Sequence, residues 1–253
     1  MSLPLAGLGV LITRPAGQAA GLRARIGEQG GVPVLFPTLA ILPPSDPDTL
    51  ARRLADLAAC DLAIFVSPTA VQTGLAAISA WPAGLRAAAV GQGTAAALRD
   101  AGIARVLAPG DGADSEHLLA LADLADMSGR RVLIFRGEGG RELLATTLSE
   151  RGARVDYAEC YRRGLPAADP APLVETWRHG GIQAVTVLSS EGLDNLFTLL
   201  GAGNADLVRA TPLFAPHPRI AERARGLGVA AAIATEAGEA GLVRGLVEYF
   251  AHG

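Results

Sequence analysis

Four predicted strands run directly into residues that open a helix: Ser67-Pro68-Thr69, Gly91-Gln92-Gly93-Thr94, Ser189-Ser190 and His217-Pro218-Arg219. A helix N-terminus presents unpaired N–H groups and a partial positive charge, so it attracts carboxylates and phosphates. In parallel α/β sheets such helix starts lie at the carboxyl ends of strands, where ligands bind. Taken singly, each Ser or Thr reads as an ordinary N-cap; the repetition carries the ligand reading. Arg14 and Arg136 close equivalent strands and add planar donors suited to carboxylates. Either one alone reads equally well as a surface arginine satisfying turn carbonyls. Tyr161 opens a Tyr-Arg-Arg triplet at a strand end, placed to donate a proton into a cleft. Its competing role is a half-buried aromatic filling a hinge.

Other chemistries lack their residues. The chain contains no lysine, so all 22 basic residues are arginine. Schiff-base chemistry and a Walker-type phosphate loop both need a lysine amine. His117, His179, His217 and His252 show no ligand spacing with one another or with Cys60 and Cys160. No nucleophile elbow is visible. Gly91-Gln92-Gly93-Thr94-Ala95-Ala96 matches G-x-G-x-x-A, with Asp111 downstream as a ribose-type acid. This is the competing dinucleotide signal. The short helix and Pro109-Gly110 before Asp111 count against it.

The elements that position these residues form a repeat. Val10-Leu11-Ile12-Thr13-Arg14 matches Val132-Leu133-Ile134-Phe135-Arg136, Gly30 matches Gly152, and Val66-Ser67 matches Leu188-Ser189 at the same offset. Short apolar runs bounded by glycine and charge alternate with helical spacing, which predicts parallel sheets covered by helices. The fold class is therefore α/β, with two lobes each built on a parallel sheet flanked by helices. The proline-rich stretch 37–44 and the segment from Tyr157 to Arg163, followed by Gly164-Leu165-Pro166, read as two extended connectors between lobes. Residues 1–36 with 165–253 then form one domain and residues 37–164 the other. Ser115 is expected to cap a helix running to about Leu124.

Composition sets the outer bounds. A chain of 253 residues, half of them hydrophobic, suffices for two small α/β domains. The net charge of −3 gives no support for a nucleic-acid or membrane-surface role. The opening MSLPLAGLGV lacks a basic region followed by a long apolar core, so it does not read as a signal peptide. Two cysteines without metal-type spacing fit the cytoplasm.

The segment VLIFRGEGGRELLATTLSERGARVDYAECYRR resembles the most recognisable part of the uroporphyrinogen-III synthase family. So do Leu11-Ile12-Thr13-Arg14-Pro15, Phe65-Val66-Ser67-Pro68-Thr69-Ala70-Val71, Val90 to Leu98, and Val187-Leu188-Ser189-Ser190-Glu191-Gly192-Leu193, in the family's order. One departure is Ala215-Pro216-His217-Pro218-Arg219, where many members carry Gly-x-x-Thr-Ala. The resemblance implies two α/β lobes joined by two connectors, with a cleft between them. It implies a cyclising hydro-lyase that takes linear hydroxymethylbilane, loses water and inverts ring D to give uroporphyrinogen III. No metal or organic cofactor is implied. By the same analogy Tyr161 is the acid that helps the hydroxyl leave. Arg14, Ser67, Thr69, Gly91, Gln92, Thr94, Arg136, Ser189, Ser190, His217 and Arg219 are the expected substrate ligands. A monomer in passing contact with hydroxymethylbilane synthase completes the expectation. A non-catalytic two-lobed protein that binds an anion or nucleotide is the alternative.

Overall fold

Strand and helix alternate along the chain in the computed structural model, which describes residues 3–251. His252 lies outside these residues. The first elements are β1 (Gly9–Ile12), α1 (Ala20–Glu28), β2 (Val32–Leu35), β3 (Ala40–Leu42) and α2 (Pro47–Ala55). Then come β4 (Leu62–Phe65), α3 (Pro68–Ala76), β5 (Arg86–Ala89), α4 (Gln92–Asp100), β6 (Val106–Leu107) and α5 (Ser115–Leu119). β7 (Arg131–Gly137), α6 (Leu143–Glu150) and β8 (Arg154–Gly164) follow, then α7 (Ala171–Arg178), β9 (Ala184–Thr186), α8 (Ser190–Leu200) and α9 (Ala205–Ala210). The chain closes with β10 (Leu213–Ala215), α10 (Pro218–Gly226), β11 (Ala232–Ala234) and α11 (Gly238–Ala251).

These elements fall into two compact units, residues 1–40 with 164–253, and residues 41–163. The first unit holds a five-stranded sheet in the order β11-β10-β9-β1-β2, and the second a six-stranded sheet in the order β3-β8-β7-β4-β5-β6. The registered strand pairs are parallel. Read in opposite directions, the two sheets correspond: β1 to β7, β2 to β8, β9 to β4, β10 to β5 and β11 to β6. The sequence repeat is thus a repeat of topology. β3 has no counterpart. It sits at the sheet edge beside β8, where the prolines around it remove no needed donor.

Each sheet has a core on both faces, as buried parallel strands require. In the second unit Ala63, Phe65, Leu133 and Phe135 point to one face, and Leu62, Ile64, Val132 and Ile134 to the other. In the first, Leu11 and Val185 alternate with Val10, Ile12 and Ala184 in the same way.

Local chemistry moved some boundaries. Asp114, not Ser115, caps α5, its carboxylate accepting from the His117 N–H at 2.9 Å. The expected helix to Leu124 breaks after Leu119 into a separate 3-10 turn, Ala122–Leu124. Aspartate takes the cap because its charge adds to the favourable field of the helix start.

Candidate active site

Each sheet reverses direction once. In the second unit β4 leads outward to β5 and β6, while β7 leads the other way to β8. The connections leaving β4 and β7 therefore diverge, which opens a crevice at their carboxyl ends. Val66-Ser67 and Arg136-Gly137 lie at those ends. A pocket of about 570 Å³ is lined there by Arg136, Gly137, Arg141, Tyr157, Tyr161 and Arg163, among others. In the first unit the reversal falls between β9 and β1. Thr13-Arg14 and Leu188-Ser189 follow those strands, and the Thr13 hydroxyl donates to the Thr186 carbonyl at 2.9 Å.

Tyr161 reaches its position through a bulge. Arg136 stands opposite Glu159, but Gly137 stands opposite Tyr161, so Cys160 has no counterpart on β7. Strict alternation would put Tyr161 on the face of Tyr157 and Glu159. The extra residue re-aims it instead, and it packs with Ala158 and Cys160. Its side chain lies along Gly137, where a Cβ would come within 2.7 Å of the phenol ring. Any other residue at 137 would push the ring away. Tyr161 is 3% exposed, and its hydroxyl lies 3.3 Å from the Ser67 Oγ.

Ser67 has two roles. Its Oγ accepts from the Ala70 N–H at 3.1 Å, capping α3, while contacting the Tyr161 hydroxyl. Ser67→Ala is expected to cost about 1 kcal/mol through the lost cap. Urea denaturation checks this as a shift in midpoint without a change in slope.

Arg136 has several partners. Its Nη1 lies 3.0 Å from the Glu142 Oε1, and its Nε donates to the Gly137 carbonyl at 3.2 Å and lies 3.6 Å from the Glu159 Oε1. The guanidinium stacks over the Tyr157 ring at 4.3 Å. The Tyr157 hydroxyl donates to the other oxygen of Glu142. Burial, reinforced by that carboxylate, pushes the Tyr157 phenol up to about 12, so it stays a donor at neutral pH. The Tyr157 hydrogen bond, then Arg136, hold the Glu142 carboxyl below the usual range. Arg14 is likewise paired, with Glu239 at 2.5 Å.

The sequence supports the same family from several directions. A family model described as uroporphyrinogen-III synthase HemD matches residues 20–244. The chain belongs to the uroporphyrinogen-III synthase family. It is 36% identical to the uroporphyrinogen-III synthase of Salmonella typhimurium over 227 residues, 87% of this chain and 92% of that protein. Against the Escherichia coli K12 uroporphyrinogen-III synthase it is 35% identical, over 76% of this chain and 80% of that one. A mutant uroporphyrinogen III synthase of known structure from Thermus thermophilus shares the fold, with TM-score 0.57 and 22% identity, covering 97% of this chain and 100% of that chain.

With the family established, the other expected ligands divide. Ser189 caps α8, its Oγ accepting from the Gly192 N–H at 3.0 Å, with Ser190 beside it. His217 caps α10 through its ring Nδ1, which accepts from the Arg219 N–H at 3.1 Å, and both residues are exposed. These residues sit at strand ends as the sequence pattern requires. Thr69 lies in the first turn of α3. Gln92 is committed locally, its amide donating to the Pro109 carbonyl at 2.6 Å. Thr94 is buried, turned away from solvent. A Cβ at Gly91 would meet Ala113 at 2.9 Å, so loop packing explains the glycine without a pyrophosphate. That removes the main support for a dinucleotide site. Among the described residues no group of three or more His, Cys, Asp or Glu side chains is arranged to hold a metal.

Sequence reasoning did not single out Tyr157 or Glu239, nor Glu142 as a partner of Arg136. Tyr157 and Tyr161 occur four apart on one strand, and their different surroundings depend on the bulge. Glu142 follows Gly139-Gly140-Arg141, a loop that brings its carboxylate back over Arg136.

Proposed function

We propose that this protein is a uroporphyrinogen-III synthase that converts linear hydroxymethylbilane to uroporphyrinogen III. The family match over residues 20–244 carries this reading. The substrate bears acetate and propionate groups on every ring, and helix starts and arginines at strand ends suit such an anion.

Tyr161 supplies the proton. As the bond to the terminal hydroxyl breaks, the phenol proton goes to the departing oxygen, which leaves as water. The electron pair from the pyrrole nitrogen fills the vacated position and gives an azafulvenium cation. The substituted carbon of ring D attacks its exocyclic carbon to form a spiro intermediate. The bond from the spiro carbon to the methylene of ring C then breaks, the free α-carbon of ring D bonds to that methylene, and the proton lost from this carbon returns to the phenolate. Ser67, 3.3 Å from the phenol, orients it. Folding the chain for attack at the substituted carbon is the larger task, and it is one of positioning.

The reading includes a monomer in the cytoplasm that meets hydroxymethylbilane synthase only transiently. The lability of the substrate, which closes unaided to the type I isomer, favours such a hand-over. Among the described residues no helix is long and apolar enough to cross a membrane. Freshly prepared hydroxymethylbilane is expected to yield type III product in proportion to added protein. Type I alone from folded protein would overturn the reading.

A further inference from the structure

We propose that Arg136 and Tyr157 form a subsite for one carboxylate of the substrate, and that Glu142 occupies this subsite until the substrate displaces it. The inference rests on the synthase reading and adds a resident competitor to it.

Two groups stay and one is free to leave. The Arg136 side chain is 7% exposed, that of Glu142 61%. The arginine is anchored by the Gly137 carbonyl and by the Tyr157 ring. Glu142 follows Gly139 and Gly140, whose φ angles of 72° and 110° belong to the region open to glycine. Side-chain rotation at Glu142 is enough to vacate the place. Glu142 is also the N-cap residue of α6, yet its side chain makes no cap bond there. Its carboxylate is spent on Arg136 and Tyr157 instead, one oxygen to each.

That geometry is what an alkyl carboxylate would adopt. The guanidinium and the phenol hydroxyl each take one oxygen, as in a two-donor clamp. The pocket beside them has room for a pyrrole-sized group, at about 570 Å³. Charge requires exchange, not addition. Arg136 already faces Glu142 and Glu159 at 3.0 and 3.6 Å, and a third carboxylate would meet net negative charge. If Glu142 departs, the incoming carboxylate restores the same balance. Glu159 does not play this part, because the Tyr157 hydroxyl donates to Glu142 instead and Glu159 stands in β8 itself.

A resident carboxylate that competes with the substrate raises KM. Glu142→Gln and Glu142→Ala are therefore expected to lower KM for hydroxymethylbilane about two- to fivefold, the range of a partly exposed ion pair. Tyr157→Phe is expected to raise KM by a similar factor. In the double variant the benefit of Glu142→Gln is expected to shrink, since both act on one oxygen pair. A glutamate that merely ordered the loop would give the opposite sign, with KM rising on its removal. Each variant is assayed by steady-state kinetics with separation of product isomers. KM unchanged or raised in both Glu142 variants, while wild type makes type III product, would overturn the subsite and leave the function intact. Wild type that makes no type III product would overturn the function, and the subsite with it.

Discussion

Tyr161→Phe is expected to lower kcat about a hundredfold, within the range for a single positioned acid, while KM changes by less than about twofold. The reason lies in what the substitution removes. The ring remains against Gly137 and within the same apolar cluster, so the pocket keeps its shape. Only the hydroxyl is lost, and its contact with Ser67 is long at 3.3 Å. The stability cost is therefore at the low end for a hydrogen bond, about 0.5 kcal/mol. In the proposed mechanism ground-state binding depends on ligands of the substrate carboxylates elsewhere, whereas departure of the hydroxyl depends on the phenol proton. Steady-state kinetics over a range of substrate concentrations spanning KM checks both. Turnover at the wild-type level in the variant would remove Tyr161 from the mechanism.

The second large effect is on stability. Phe135→Ala is expected to cost about 3–5 kcal/mol, as deletion of a fully buried phenyl ring does. Phe135 is 0% exposed and stacks on Phe65, its partner in register on β4, with ring centroids 4.4 Å apart. The pair lies directly before the strand ends that carry Arg136 and Ser67. A cavity there would loosen both sides of the crevice. Urea denaturation followed by circular dichroism measures the loss. A cost below about 1 kcal/mol would show that the site closes around the gap with little penalty.

Much of the fold was legible because buried parallel strands are written plainly. Leu62–Phe65 and Val132–Phe135 are apolar at every position, and such runs between glycines and charges leave few alternatives. The repeat that links Arg14 to Arg136 and Ser67 to Ser189 proved to be a repeat of sheet order. The sequence drew the crossings between domains at residues 36 and 164, and the structure divides the chain after 40 and after 163.

What was less legible depends on contacts between residues distant in the chain. The bulge at Cys160 needs the register of β8 against β7, which no local pattern reveals. Without it Tyr161 would share a face with Tyr157, and the two phenols would look alike. From the sequence the strand-end arginines read equally well as anion ligands or as surface arginines satisfying turn carbonyls. In the structure each already holds a glutamate, Glu142 six residues along for Arg136 and Glu239 across the unit for Arg14. Carboxylate partners of this kind carry no motif, because any loop that returns to the strand end can supply one. Gly91-Gln92-Gly93 shows the converse. It has the spacing of a phosphate loop, but Ala113 and Pro109 occupy its surroundings.

The most direct measurement of the central claim is the isomer composition of the product as protein is titrated into freshly made hydroxymethylbilane, with oxidation and chromatographic separation of the uroporphyrins. The account predicts that type III rises from background to nearly the whole product as protein increases, and that Tyr161→Phe shifts this curve to far higher protein concentration. Type I product at every concentration of folded wild-type protein would contradict it.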